Sequence, residues 1–524
     1  MSSSLLLYFA GLHILQLKYT PRHWDEFSYW LTYPKQMFLF GSLIHSDFPN
    51  KTFVSYLPGL PALQMLNQTL SFSSAFQDGF AFNVNFLFIT CGLGLLWSEL
   101  LNSDRPSGLS KTPRGLLTFS LFILLCFVLI RSKAFIVSTL VEAPSIIVTF
   151  CFFYAIYLRC QNLIQNRDFL VLLGLSTTCG YALKEYFILA PGAIFLYFAV
   201  EKMINPQARF IVLLRNLLFC SVGLLVVMFV WKFAIQNYRG VHNFAQSLNF
   251  EFLVEHFRQR RWILGQALGE IFLYLLDLFI LVFPLWGVSR LLQKSFLKFW
   301  TAFLGFFAAY LAILIWWYLF VAVEVEALRL ASFSRYLNYV LVPLFIIAYL
   351  HFCRTQRRWP SFLLKSLPSA GWVGGAFASL FFVAQLKLSP PPSRSELNSL
   401  SQILQGLQHS PQKILLIDQQ DNGFHYLTGL YYSLDHEKLR GRFARGWAYA
   451  EESGPNGFSK VSSKEFGALA NQADVLWVRR SNEWTHAALA GNLDPNCKFD
   501  LSFQFLIKNN DRYSCFPYEV MIRE

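Results

Sequence analysis

The chain has 524 residues, of which 55% are hydrophobic, 18% aromatic and only 14% charged. A soluble enzyme carries about 25% charged residues, so this composition excludes a water-soluble globular protein and points to several membrane spans. The net charge of +13 does not mark a nucleic-acid binder, because Lys and Arg gather in alternate short loops between apolar segments.

The first apolar segment, Leu5 to Leu17, has no Lys or Arg before it and no small-residue cleavage site after it, and reads as a retained first span. The interval from Thr20 to Leu63 follows. Thr20 is placed to cap a short helix with Pro21 at its first position, and Trp24, Phe27, Trp30 and Leu31 fall on one side of it. The pattern predicts a helix that lies in a membrane interface and stops before Pro34. Its start carries two adjacent acids, Asp25 and Glu26, beside His23. Neighbouring helical positions point roughly 100° apart, so the two carboxylates have different tasks. One can face a reacting group while the other faces a metal, a base or the helix end.

Further spans are predicted at Phe80 to Trp97, Leu116 to Ile130, Ser145 to Leu158, Phe169 to Leu183, Phe187 to Val200, Phe210 to Phe233, Ile271 to Val288, Phe299 to Val321, Tyr336 to Phe352 and Trp372 to Leu386. This α-helical polytopic chain thus has about eleven spans of bilayer length. Arg105, Lys111, Arg114, Arg159, Arg167, Lys202, Arg209, Arg290, Lys294, Lys298, Arg354, Arg357 and Arg358 occupy alternate turns. With the N-terminus in the cytoplasm all of these lie inside, while the acid-pair loop and the C-terminal tail lie outside.

The membrane module is read as residues 1–388, with the outer loop 20–78 in it, and residues 389–394, around Pro390, Pro391 and Pro392, as a linker. Residues 395–524 alternate helix-like stretches (Glu396 to Leu407, Lys464 to Ala470) with strand-like runs (Lys413 to Ile417, Val475 to Val478, and a pair near the end), which predicts an α/β domain. Cys497 and Cys515 are the two cysteines of the tail, and in an oxidising exterior they are candidates for a disulfide. Trp447, Tyr449 and Trp484 suit stacking on sugar rings, and core packing accounts for them equally.

Ionisable groups at the rim of a span are costly and therefore informative. Glu142, Lys184 with Glu185, and Arg335 followed by Tyr336 all fall on the same side as Asp25 and Glu26. Singly, each also fits a cap or a side chain reaching to water. The basic run Arg258, Arg260 and Arg261 fits lipid headgroups as well as a ligand. As a set they match one reaction. Departure of a lipid phosphate from a sugar needs Lys or Arg to meet its charge, and the incoming hydroxyl needs a carboxylate to take its proton.

The ordered motifs WDEFSYW, YLPGLPAL, VEAPSIIV, GYALKEYFILAP and SRYLNYVLVP resemble those of the GT-C glycosyltransferases, in particular the bacterial aminoarabinose transferase and protein O-mannosyltransferase type. The resemblance spans Leu5 to about Leu386. It implies an inverting transferase of the bacterial inner membrane that moves a sugar from a polyprenyl phosphate to a lipid, glycan or protein acceptor on the extracytoplasmic face. By the same resemblance the catalytic acids fall on Asp25 and Glu26, with Asp25 the base, and donor binding falls on Glu142, Lys184, Arg335 and Tyr336. The sequence departs from the pattern at Leu57, Pro58 and Gly59, where paired prolines are usual, and at Glu185, which follows the lysine. Some relatives use a divalent cation near the acid pair and others none; Glu26, His23 and His45 would be its ligands here. A lipid-linked-sugar transporter, or a non-catalytic subunit of glycan assembly, is the alternative class. Transporters place their charges nearer the bilayer midplane and often show two similar halves.

Overall fold

Continuous apolar runs that must satisfy their own backbone in lipid become helices. The computed structural model describes residues 19, 21, 24–45, 48–49, 56–101, 140–207, 209–235, 250–281, 296–322, 327, 330, 332–355, 392–405, 411–419, 421, 423–444, 448–450, 459–497, 504–509 and 511–517. Among them, four helical segments are long and apolar enough to cross a membrane: Glu142–Cys160, Glu185–Ile204, Phe210–Ile235 and Leu297–Val321. Each coincides with a predicted span. Helices Asp78–Leu101, Asn166–Leu183 and Phe333–Thr355 cover three others, and Trp262–Leu281 takes in the first part of the span expected at Ile271 to Val288, the rest of which lies outside the described residues. The spans expected at Leu5 to Leu17, Leu116 to Ile130 and Trp372 to Leu386 lie outside the described residues.

The chain divides into two units. The first comprises residues 1–16, 55–67 and 80–387, and the second residues 17–54, 68–79 and 388–524. In the first unit, helix Glu142–Cys160 is buried along most of its length. Its Phe153 ring meets Phe303 at 5.2 Å and Phe306 at 5.3 Å across a seam with helix Leu297–Trp316. Helix Phe210–Ile235 buries only Asn216, Cys220, Ser221, Leu224 and Trp231. Its Phe219, Val226, Phe229 and Phe233 are exposed, an apolar outer face suited to lipid rather than water.

The second unit takes in the acid-pair loop as well as the C-terminal domain. The predicted interfacial helix is replaced by two pieces, a π-helical turn Glu26–Trp30 and an α-helix Thr32–Phe40 that ends at Gly41 with φ 64°. The chain breaks at Leu31, with φ −115°, and not before Pro34. Pro34 sits in the first turn of the second piece, where a missing N–H leaves no hydrogen bond unmade. Nor is the aromatic side spread on an interface. Phe27, Trp30 and Leu31 are buried and Trp24 alone of the set is exposed; helix Phe424–Ser433 offers Phe27 the rings of Phe424, Tyr431 and Tyr432, and Trp30 meets Tyr29 at 4.7 Å.

The C-terminal residues form the expected α/β domain. Strands β1 (Ile414–Asp418), β2 (Phe443–Ala444), β5 (Val475–Arg480), β6 (Gln504–Asn509) and β7 (Arg512–Pro517) make one sheet in the order β2-β1-β5-β6-β7. The short β3 (Tyr449–Ala450) and β4 (Ser459–Lys460) pair separately. β1 runs parallel to β2 and β5, with Leu415 opposite Leu476, and β6 and β7 are antiparallel. The fully buried β1 reads as an unbroken apolar run for that reason. Helix Ser463–Asn471 starts at a capping box of Ser462 and Glu465. Helix Pro392–Gln405 begins at Pro392, so the expected linker gives up its last residues to a helix that proline at the first position favours. Cys497 and Cys515 are disulfide-bonded. Tyr449 is buried, and Trp484 packs on Phe466 at 5.2 Å, which places both rings in the domain core instead of on a sugar-binding surface. Trp447 lies outside the described residues.

Candidate functional site

In the first unit, Glu142 opens its helix and Arg335 lies in the first turn of Phe333–Thr355. The exposed amides of a helix N-terminus favour a carboxylate there and disfavour a cation, so Arg335 needs a counter-charge. Glu142 supplies it: Arg335 Nε lies 3.3 Å from Glu142 Oε1, with side-chain exposures of 12% and 5%. The sequence names both residues, and the fold brings them together.

Tyrosines surround this pair. The guanidinium of Arg335 stands 5.5 Å from the Tyr336 ring. The Tyr339 ring stacks on Tyr186 at 5.4 Å, and Tyr186 meets Tyr310 at 5.1 Å. Tyr310 donates its hydroxyl to the Tyr336 carbonyl at 3.1 Å, and the hydroxyls of Thr149 and Tyr186 are 2.8 Å apart. Tyr186, Tyr310 and Tyr339 were not expected from sequence. Their signal was present for two of them: Tyr186 follows Lys184 and Glu185 directly, and Tyr339 stands four residues after Arg335, on the same helix face.

Lys184 occupies an extended link, φ −154°, between helix Asn166–Leu183 and the 3₁₀ turn Glu185–Leu189. Its Nζ lies 5.7 Å from the centre of the Tyr56 ring, within reach of a cation–π contact. Glu185 is exposed. The basic run does not act as one set. Arg258 is exposed and pairs with Glu255 at 3.6 Å; Arg260 instead turns to the carbonyls of Tyr318, Leu319 and Ala322, at 3.4, 3.4 and 2.9 Å. Those carbonyls end the segment Leu297–Val321, whose negative dipole end suits a cation. Arg260 is thus a helix-end partner, and Arg261 is exposed.

In the second unit, the two acids differ as their adjacent positions require. Glu26 is fully buried and accepts a hydrogen bond from the Tyr19 hydroxyl, whereas Asp25 is half-buried. Asp25 is the member that keeps contact with the outside. The Leu31 amide donates to the Glu26 carbonyl at 2.8 Å, which closes the wide π turn, and the Thr32 hydroxyl donates to the Phe27 carbonyl. His45 stacks on Phe40 at 5.4 Å and on Phe48 at 6.3 Å, and His23 lies outside the described residues. No group of three or more His, Cys, Asp or Glu suited to a metal occurs among the described residues.

No protein-family model and no curated protein matches the sequence. Among solved structures the chain is similar to ArnT from Cupriavidus metallidurans, in its crystal structure bound to undecaprenyl phosphate, with 12% identity, a TM-score of 0.59 and 98% of each chain covered. The same protein's apo-state crystal structure aligns at a TM-score of 0.44 and 12% identity, over 98% of this chain and 97% of that one. At this identity the likeness is one of fold. The chain shares that protein's fold, a polytopic α-helical architecture with a C-terminal α/β domain.

Proposed function

We propose that the protein is an inverting glycosyltransferase that moves a sugar from a polyprenyl phosphate to an acceptor hydroxyl at the outer face of a bacterial inner membrane. The observation that carries this reading is the likeness in fold, over 98% of both chains, to a protein crystallised with undecaprenyl phosphate. In the proposed reaction the acceptor oxygen attacks the anomeric carbon, the bond from that carbon to the phosphate oxygen breaks, and the polyprenyl phosphate leaves with the bonding pair. Asp25, the partly exposed acid, takes the acceptor proton. Glu26, turned inward to Tyr19, holds the turn that carries it. Arg335, oriented by Glu142, meets the phosphate charge that grows in the transition state, and Lys184 adds a second cation. Tyr336 lies beside that guanidinium. The exposed Arg258 and Arg261 attract anionic headgroups rather than clamp the leaving phosphate.

The test is sugar transfer by the purified full chain in lipid, supplied with a panel of radiolabelled undecaprenyl-phosphate sugars and a membrane extract as acceptor. Asp25→Asn is expected to lose roughly 10²–10⁴-fold in turnover while still binding undecaprenyl phosphate. Full activity in that variant would remove Asp25 from the reaction. Failure to consume any donor would favour a lipid-linked-sugar transporter.

A further inference from the structure

The turn that carries the acid pair is anchored by the C-terminal domain within the second unit. Phe27, next to Glu26, is fully buried, and its ring lies 5.5 Å from Phe424, 5.4 Å from Tyr431 and 6.0 Å from Tyr432. On the following helix Lys35 is 2% exposed, a rare setting for an ammonium. Its Nζ lies 2.8 Å from Asp435 Oδ1, donates to the Tyr431 carbonyl at 3.3 Å and stands 4.0 Å from the centre of the Tyr431 ring. The Tyr431 hydroxyl in turn donates to Asp78. Every one of these partners of Phe27 and Lys35 belongs to helix Phe424–Ser433 or the two residues after it.

The local backbone explains why such an anchor is needed. A π turn is rare, has poorer contacts along its axis than an α-helix, and collects at functional sites. Glu26–Trp30 persists in that form with Phe27 wedged among three rings before the break at Leu31 and Lys35 pinned after it. Relaxation to an α-helical turn would rotate Asp25 and Glu26 relative to Phe27, and the fixed positions of Phe27 and Lys35 oppose it.

We infer that Phe27 and Lys35 are positioning residues for the acid pair, and that the α/β domain, through Tyr431 and Asp435, is a working part of the reaction rather than an appendage that only collects acceptor. The inference rests on the transferase reading above. It predicts a loss in the chemical step without a loss in donor binding, because none of these four residues is assigned to the donor.

The experiment uses the full chain in lipid with Lys35→Met, Asp435→Asn and Phe27→Leu, and two readouts. Hydrogen exchange of the amides of residues 26–31 needs no substrate; it should accelerate in each variant while β1 and β5 stay as protected as in the wild type. Turnover of the donor consumed by the wild type should show kcat down by about tenfold or more, with KM for that donor changed by less than about twofold. Lys35→Met with Asp435→Asn together should cost little more than the worse single change, since both remove one interaction. Unaltered exchange at residues 26–31, or wild-type kcat in both Lys35→Met and Asp435→Asn, overturns the inference. Exchange that rises throughout the sheet as activity falls also overturns it, since that is general loosening of the fold. Asp25→Asn, measured in parallel, separates the two levels. If it is inactive while Lys35→Met works normally, only the anchor fails; if it is fully active, the transferase reading has lost its base.

Discussion

Glu396 shows how a single residue can carry a charge problem that no sequence window contains. It is 6% exposed in the α/β domain, with Arg479 Nε 3.0 Å from its Oε2. Burial outweighs the nearby guanidinium and pushes its carboxyl up to about 7. A carboxyl whose pKa is raised on folding binds more protons folded than unfolded, so its contribution to stability falls as pH rises from about 4.5 to about 7. Glu396→Gln removes that titration. The variant's sheet should match the wild type near pH 5 and exceed it at pH 8, by an amount on the order of 3 kcal/mol. Hydrogen exchange of β1 and β5, corrected for the intrinsic rate at each pH, measures it; equal protection at pH 8 would sink the argument. Asp421, raised to about 6 by burial, acts in the same direction. None of this was legible beforehand, because Glu396 on helix Pro392–Gln405, Asp418 on β1 and Arg479 on β5 meet only in the folded domain. Glu142 and Arg335 make the opposite case: costly charges at the rim of spans stand out one by one, although their ion pair needs the fold.

At the level of elements, hydrophobic runs located most of the described spans and, in the tail, helices Pro392–Gln405 and Ser463–Asn471 with strands β1 and β5, since length and period are local properties, whereas helices Phe424–Ser433 and Glu483–Leu489 were not expected. Such runs failed where a partner distant in sequence decides the outcome, as with the buried aromatic face of residues 27–31. Gly59 is a departure that the fold explains. In sequence it interrupts an expected pair of prolines; in the structure a Cβ there would lie 2.3 Å from the Ala182 carbonyl oxygen, so helix Gly59–Leu70 starts against the backbone just before Lys184. Gly59→Ala has to push these two segments apart. Gly192, in helix Ala190–Ile204, has nothing within 4 Å of the same added atom, and there alanine gains helix propensity of about 0.5–1 kcal/mol. After graded heating in detergent, size-exclusion profiles should show Gly59→Ala aggregating at lower temperature than the wild type and Gly192→Ala at the same or a higher one. Identical behaviour of the two variants would mean that the contact with Ala182 relaxes freely.

For the whole molecule, the architecture was readable because the bilayer imposes a strict grammar of apolar length and loop charge. The same grammar sets the expected orientation. The basic turns expected inside include Lys111, and the α/β domain expected outside presents Lys464 on its surface. The bonded Cys497 and Cys515 argue for the same side independently, since a disulfide persists in an oxidising compartment and is reduced in the cytoplasm. In cells with a permeable outer layer, a membrane-impermeant maleimide should therefore label Lys464→Cys at once, above the background of the wild type, whereas Lys111→Cys should react only after the inner membrane is opened. The reverse pattern would turn the whole chain over. It would also strand the disulfide in a reducing medium and place Asp25 on the face opposite to the one its proposed chemistry requires, so this one labelling experiment bears on charge, redox state and function together.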